Sequence, residues 1–260
     1  MALSVRTERP LPLLERVKRL QPLRRQLRSH ILFDVNGETI AYCYIRKNAC
    51  SAFKRMILAE ERYEGAWEDA IHFLLQLAPA SLAAAKTAKW RIYVYRDPFE
   101  RIASLFRNKM VAREDSTDFI ADFESATGSD VDASTFDQFV TVYLTSKPRD
   151  PHTWTQASQL LPMSYNCVST LDTLFHDMRP IVGDELARRY LARPANQSST
   201  SLYDEASFAV PVRQLRERYL ATGELPSSGA LDAPNARATV LRLYRDDYGL
   251  APKAGKVGST

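Results

Sequence analysis

Lys47 sits in the run Arg46-Lys47-Asn48-Ala49-Cys50-Ser51, between the apolar stretch Ile40 to Ile45 and the amphipathic stretch Ser51 to Leu58. Strand, basic loop and helix start, in that order, make a site for an anion. Free main-chain N–H groups and the positive end of the helix dipole face the ligand, and a lysine adds a full charge. A second stretch, Tyr93 to Ser104, offers a matching grip. Arg96 closes an apolar strand and Asp97 is a good helix N-cap. Pro98 suits the first helical position, and Glu100 stands where a capping box needs it. Ile102, Leu105, Phe106 and Met110 then share one helical face, leaving Ser104 on the other and free to meet a ligand. An arginine fork at a strand's C-terminal end, with a serine hydroxyl, suits a phosphate. Alone, a strand-end arginine more often pairs with a structural carboxylate. The two loops together favour a ligand with two anionic groups. The Lys47 loop has no glycine, so the Gly-x-x-x-x-Gly-Lys-Ser/Thr cradle of triphosphates is absent.

The elements that must position these loops are readable from periodicity. Residues 31–35 and 38–45 read as strands around Asn36-Gly37, a type I′ hairpin signal. Trp90 to Tyr95 reads as a buried strand and Tyr165 to Val168 as a weaker one. Helices are predicted over 51–61, 66–77, 82–88, 98 to about 113, 136–146, 171–178, 212–221 and 236–248. Alternating strands and helices predict an α/β fold with a mostly parallel central sheet and the hairpin as its antiparallel edge.

The chain of 260 residues is long enough for one large domain, expected over 31–250. Its 45% hydrophobic and 25% charged residues are ordinary for a soluble protein, and no apolar run approaches the roughly 20 residues that span a bilayer. A net charge of +4 fits small anions better than a nucleic-acid backbone, so no nucleic-acid partner is expected. Cys43, Cys50 and Cys167 show no C-x-x-C pairing, which argues against a disulfide framework or a zinc site and for a reducing compartment. With no signal-peptide pattern at the start, a cytoplasmic location is expected. Residues 1–30 read as a basic helical extension carrying Arg16, Lys18, Arg19, Arg24, Arg25 and Arg28. This is either a solvated surface helix or an interfacial one drawn to anionic lipid or an acidic acceptor, and Pro22 is expected to interrupt it. Residues 251–260 read as a disordered tail.

The chain resembles the sulfotransferases, most of all the group holding the Golgi carbohydrate O-sulfotransferases and their bacterial relatives. Tyr44 to Arg55 is similar to the family's first motif, Lys-x-Ala-Ser/Cys-Ser/Thr before a helix with Lys-Arg. Arg96-Asp97-Pro98-Phe99-Glu100-Arg101 followed by Ser104 is similar to its second. Asp150 to Gln156 resembles the His-Trp-x-Pro-Gln segment, Tyr165 to Leu174 the Tyr-Asp-Phe-x-Gly segment, and Leu243 to Tyr248 the Tyr-x-x-Asp-Tyr ending. Together these cover about residues 31–250. Ala52 replaces the family's hydroxyl residue, Thr153 separates His152 from Trp154, and the usual cysteine after that segment is absent, as is a membrane anchor. Both absences agree with a cytoplasmic, bacterial member.

The resemblance implies a P-loop-like three-layer fold and 3′-phosphoadenosine 5′-phosphosulfate as donor, leaving adenosine 3′,5′-bisphosphate, with no metal. It implies that Arg46, Lys47, Asn48, Ala49, Cys50, Ser51 and Ala52 hold the 5′-phosphosulfate, and that Arg96 and Ser104 hold the 3′-phosphate. Lys47 also stabilises charge on the departing oxygen. The base is expected to be His72, which lies between the two motifs. Glu60 or Glu61 is the next choice if burial raises its pKa, and His152 the third, unless it shapes the acceptor cleft instead. The acceptor is expected to be a hydroxyl on a carbohydrate, a lipid-linked glycan or a small molecule. Trp154, Tyr143 and Phe139 could stack on it, although core packing is the commoner use of such rings. Two rivals are a P-loop kinase and a non-catalytic module that binds polyanions or membranes through Arg16 to Arg28.

Overall fold

A computed structural model describes residues 13–192 and 201–252, with side chains from Gln21 onward. Residues 1–12 and 253–260, which include most of the expected tail, lie outside the described residues. Strand β1 (His30–Val35) pairs antiparallel with β2 (Glu38–Cys43), with Asn36 and Gly37 both at positive φ in the turn. Parallel strands β3 (Trp90–Tyr95) and β4 (Cys167–Thr170) follow, giving the order β1-β2-β3-β4. β4 starts two residues later than Tyr165 because that neighbourhood is tied by side chains. Asn166 bonds the Arg91 N–H and the Lys89 carbonyl, and the Tyr165 hydroxyl meets His30 Nε2.

Helix α1 (Leu13–Arg28) runs on through Pro22. The proline removes one i→i−4 bond, and packing against β1 and the 157–159 turn holds the helix together. Then come α2 (Cys50–Glu60), α3 (Ala70–Gln76), α4 (Leu82–Thr87) and α5 (Pro98–Phe106). α5 widens into a π-turn over Arg107–Val111, which brings Arg107 and Lys109 into the interior. α6 (Thr117–Thr127) escapes the periodicity because acidic and small residues dilute its Phe119–Phe123 stripe. The 136–146 helix begins as α7 (Phe136–Gln138), capped by Thr135, and continues as π- and 3-10 turns. The chain ends with α8 (Leu174–Val182), α9 (Asp184–Leu186), β5 (Leu202–Tyr203), α10 (Val212–Thr222), β6 (Leu225–Pro226), α11 (Pro234–Leu243) and α12 (Arg245–Tyr248).

Both faces of the sheet are covered. Ile31, Phe33, Ile40, Tyr42, Ile92 and Val94 pack with α2, α3 and α8, whereas Cys43, Ile45, Tyr93 and Tyr95 meet Leu160 and Leu250 on the other face. A separate all-helical core is built from Phe99, Phe106, Phe119, Phe123, Phe136 and Phe139. No helix among the described residues is long and apolar enough to cross a membrane.

Candidate active site

Parallel pairing of β2 with β3 brings their C-terminal ends to one edge of the sheet, where the Lys47 loop and Arg96 stand side by side. The loop is strained. Lys47 (φ 69) and Ala49 (φ 58) both adopt the left-handed conformation without being glycine, at roughly 1–2 kcal/mol each. Such a shape persists only where its surroundings over-determine it. Arg101 Nε donates to the Arg46 carbonyl (3.1 Å) and Arg96 Nη1 to the Lys47 carbonyl (3.0 Å). Asn48 Nδ2 donates to the Val94 carbonyl (2.7 Å) and to Gln156 Oε1 (2.5 Å).

Gln156 is the hub. Its Oε1 also accepts from the Arg96 N–H, its Nε2 donates to the Arg96 carbonyl, and its own N–H and that of Ala157 reach the Asp247 carboxylate at 2.8 Å each. Asn48, Arg101, Gln156 and Asp247 are all 0% exposed. Arg101 Nη2 further holds the His152 carbonyl, and the Tyr244 hydroxyl holds that of Thr153. One buried network thus sets the loop, Arg96 and the His152 segment in a fixed relation.

The loop keeps some donors and spends others. The Asn48 N–H goes to the Ile45 carbonyl and the Ala52 N–H to the Ala49 carbonyl. The N–H groups of Lys47, Ala49, Cys50 and Ser51 find no acceptor among the described residues. Lys47 and Arg96 are half-buried and lack an ion pair among those residues. Burial pushes the Lys47 ammonium down to about 8. Burial, reinforced by the Arg107 charge, pushes the Arg96 guanidinium down to about 10. Four free amides beside two cations held below their usual pKa form a cradle that an anion would relieve. Ser104 is half-buried, and its hydroxyl has no hydrogen-bond partner among the described residues.

Asp97 caps α5 through bonds from the Phe99 and Glu100 N–H groups. The expected capping box is not closed, because Glu100 turns to accept from the Ser228 hydroxyl (2.6 Å). Ser228 in turn accepts from Arg107 Nη1, so this corner is wired as well.

Asp150 Oδ1 lies 2.7 Å from His152 Nδ1 and accepts from the His152 N–H. Burial raises the Asp150 pKa, but its bonds from His152 outweigh that and hold it below the usual value. Burial pushes His152 down to about 4 against the pull of Asp150. An ionised carboxylate only accepts, so the neutral imidazole carries its proton on Nδ1 and leaves the Nε2 lone pair free. The remaining candidates stand elsewhere. His72 is exposed on α3, and its imidazole makes no hydrogen bond among the described residues. Glu60 and Glu61 are exposed at the far end of α2, roughly 16 Å along the helix from the loop. Ala52 is buried beneath the loop, and Tyr143 and Phe139 are buried in the helical core.

A family model described as the sulfotransferase family matches residues 30–250. The chain belongs to the sulfotransferase family. It is therefore a transferase that moves a sulfuryl group, and sulfotransferases generally use 3′-phosphoadenosine 5′-phosphosulfate and a hydroxyl-bearing acceptor. No curated protein and no solved structure matches this sulfotransferase. The matched span starts at β1, so α1 precedes it. Sequence reasoning singled out Lys47, Arg96, Ser104 and His152, and named Asp150, Gln156 and Asp247 within motif segments without giving them a role. Their sequence signals were motif places alone: Gln156 stands at the glutamine of the segment resembling His-Trp-x-Pro-Gln, Asp247 at the aspartate of the Tyr-x-x-Asp-Tyr ending, and Asp150 two residues before His152.

Proposed function

We propose that this sulfotransferase uses 3′-phosphoadenosine 5′-phosphosulfate to sulfate a hydroxyl on a carbohydrate or glycolipid, with His152 as the base. The observation that carries this is the cradle of free amides flanked by Lys47 and Arg96, two cations without a carboxylate partner among the described residues. It fits a ligand phosphorylated at two ends, with the loop as one grip and Arg96 with Ser104 as the other. The donor supplies the sulfuryl group, whose S–O bond to the 5′-phosphate breaks as the acceptor oxygen bonds to sulfur. Lys47 and the amides of Ala49, Cys50 and Ser51 steady the negative charge that builds on the leaving oxygen. His152 Nε2 takes the hydroxyl proton, and Asp150 fixes the tautomer and steadies the imidazolium that results. Arg101, Gln156 and Asp247 hold the loop and the His152 segment in register, and such positioning carries much of the rate. The loop does the work of a P-loop without glycine. His72 and Glu61 have no comparable support. A kinase reading is not favoured, since the family match speaks for sulfuryl transfer.

Thermal stabilisation tests the donor. Adenosine 3′,5′-bisphosphate without magnesium should raise the melting temperature of the wild type, and ATP with magnesium should do so far less. Lys47→Ala and Arg96→Ala should each lose that shift and the transfer of labelled sulfate while keeping their circular dichroism. Full transfer by either variant would overturn the assignment.

A further inference from the structure

A cleft of about 820 Å³ opens beside the loop, between α1, α3 and the segment that carries His152. Leu27, Ile31, Ile71 and Leu74 give it apolar walls, while Arg24, Arg25, Arg28 and Arg46 also line it. None of these arginines has an ion pair among the described residues. The Arg25 guanidinium lies 4.8 Å from the centre of the Trp154 ring, and its Nε is buried without a hydrogen-bond partner among the described residues. Leaving a charged donor unmet in that way is costly, and an anion that reached it would supply the missing acceptor.

The cleft is joined to the transfer site through the chain itself. Arg46 is the neighbour of Lys47, and Pro151 and Trp154, which also line the cleft, bracket His152. α1, which carries three of the four arginines, precedes the span matched by the family model, so this wall lies outside the matched residues.

Resting on the sulfotransferase reading above, we propose that this cleft is the acceptor site and that its ligand is an anionic amphiphile. The acceptor carries a negative group for the arginines, an apolar chain or ring for the walls, and the hydroxyl that meets His152. A neutral glycan would leave the three α1 arginines without an anion and the apolar walls wet. A wholly polar polyanion would answer the charges but not the walls. The volume is that of a pocket for a small organic molecule, which buries most of its ligand. Arginine forks on an aromatic plate suit a carboxylate or a phosphate monoester equally. The product keeps its original anionic group and gains a sulfate.

Calorimetric titration of the full chain with adenosine 3′,5′-bisphosphate present tests this, using octyl β-D-glucuronide, octyl β-D-glucoside and glucuronic acid below micellar concentrations. The octyl glucuronide should bind at least about tenfold more tightly than either of the others, since one charge-assisted contact is worth about that factor. Arg24→Glu with Arg28→Glu, two exposed positions, should remove the preference and leave bisphosphate affinity unchanged. Equal binding of glucuronide and glucoside overturns the proposal, as does no binding of any of the three or a preference that survives the double variant. Failure of the sulfotransferase reading shows separately, as absence of bisphosphate binding to the wild type.

Discussion

The Lys47 loop and the arginine-lined cleft hold similar cations in opposite ways. At the loop, carbonyls and side chains are tied into a buried network through Arg101, Asn48, Gln156 and Asp247, and strained backbone is tolerated. In the cleft, Arg24 and Arg28 are exposed side chains on one helix over apolar walls. The difference matches the role proposed for each. Stabilising a transition state needs donors fixed in advance, because donors that reorganise during the reaction lose much of their effect. Recognising a ligand by charge and apolar area tolerates mobile arginines, because neither force demands one geometry.

Breaking the loop should have the largest effect. Lys47→Ala should lower sulfate transfer by about a hundred- to a thousandfold, the scale of losing a fixed transition-state donor, whereas Arg28→Ala in the cleft should act mainly on acceptor KM. Comparing kcat and KM for the two variants checks this. Next, His152→Ala should cost roughly a hundredfold or more in kcat, the usual contribution of a general base. Donor affinity should barely move, and unchanged turnover would move the role to His72 or Glu61.

The pH dependence sharpens the same contrast. His152, held down to about 4, is a free base above that pH, and Lys47, held down to about 8, is charged below it. kcat/KM, which reports the free enzyme, should therefore fall below about 4 and above about 8, with the acid limb lost in His152→Ala. Equilibrium unfolding gives the next comparison. Gln156→Leu strips partners from Asn48 and Arg96 and should destabilise by about 3 kcal/mol, while Arg28→Ala should stay within about 0.5 kcal/mol. The smallest effect should come from strain. Ala49→Gly should be neutral or stabilise by up to about 1 kcal/mol, and Ala49→Val should lose about 2 kcal/mol.

Local signals determined much of this molecule. The Asn36-Gly37 turn, the β3 span, the Asp97–Pro98 helix start and the two strand-to-helix loops follow from short-range chemistry: turn residues, β-branched runs, caps and periodicity. The places of Arg96 and Lys47 were legible because each follows a strand and precedes a helix. Only tertiary structure decided the rest. Pro22 was expected to break α1, but packing overrides propensity. Gln156 and Asp247 fall inside segments that resemble family motifs, but they pair across 91 residues of chain, and Asn48 and Gln156 across 108, so no local pattern could announce their partners. The same holds for the base. The proposal of His152 over His72 rests on the Asp150 carboxylate beside it, a partner that only folding places there. The arginines of α1 were plain in the sequence, but whether they faced water, lipid or a ligand depended on the apolar walls opposite, which only folding brought to them.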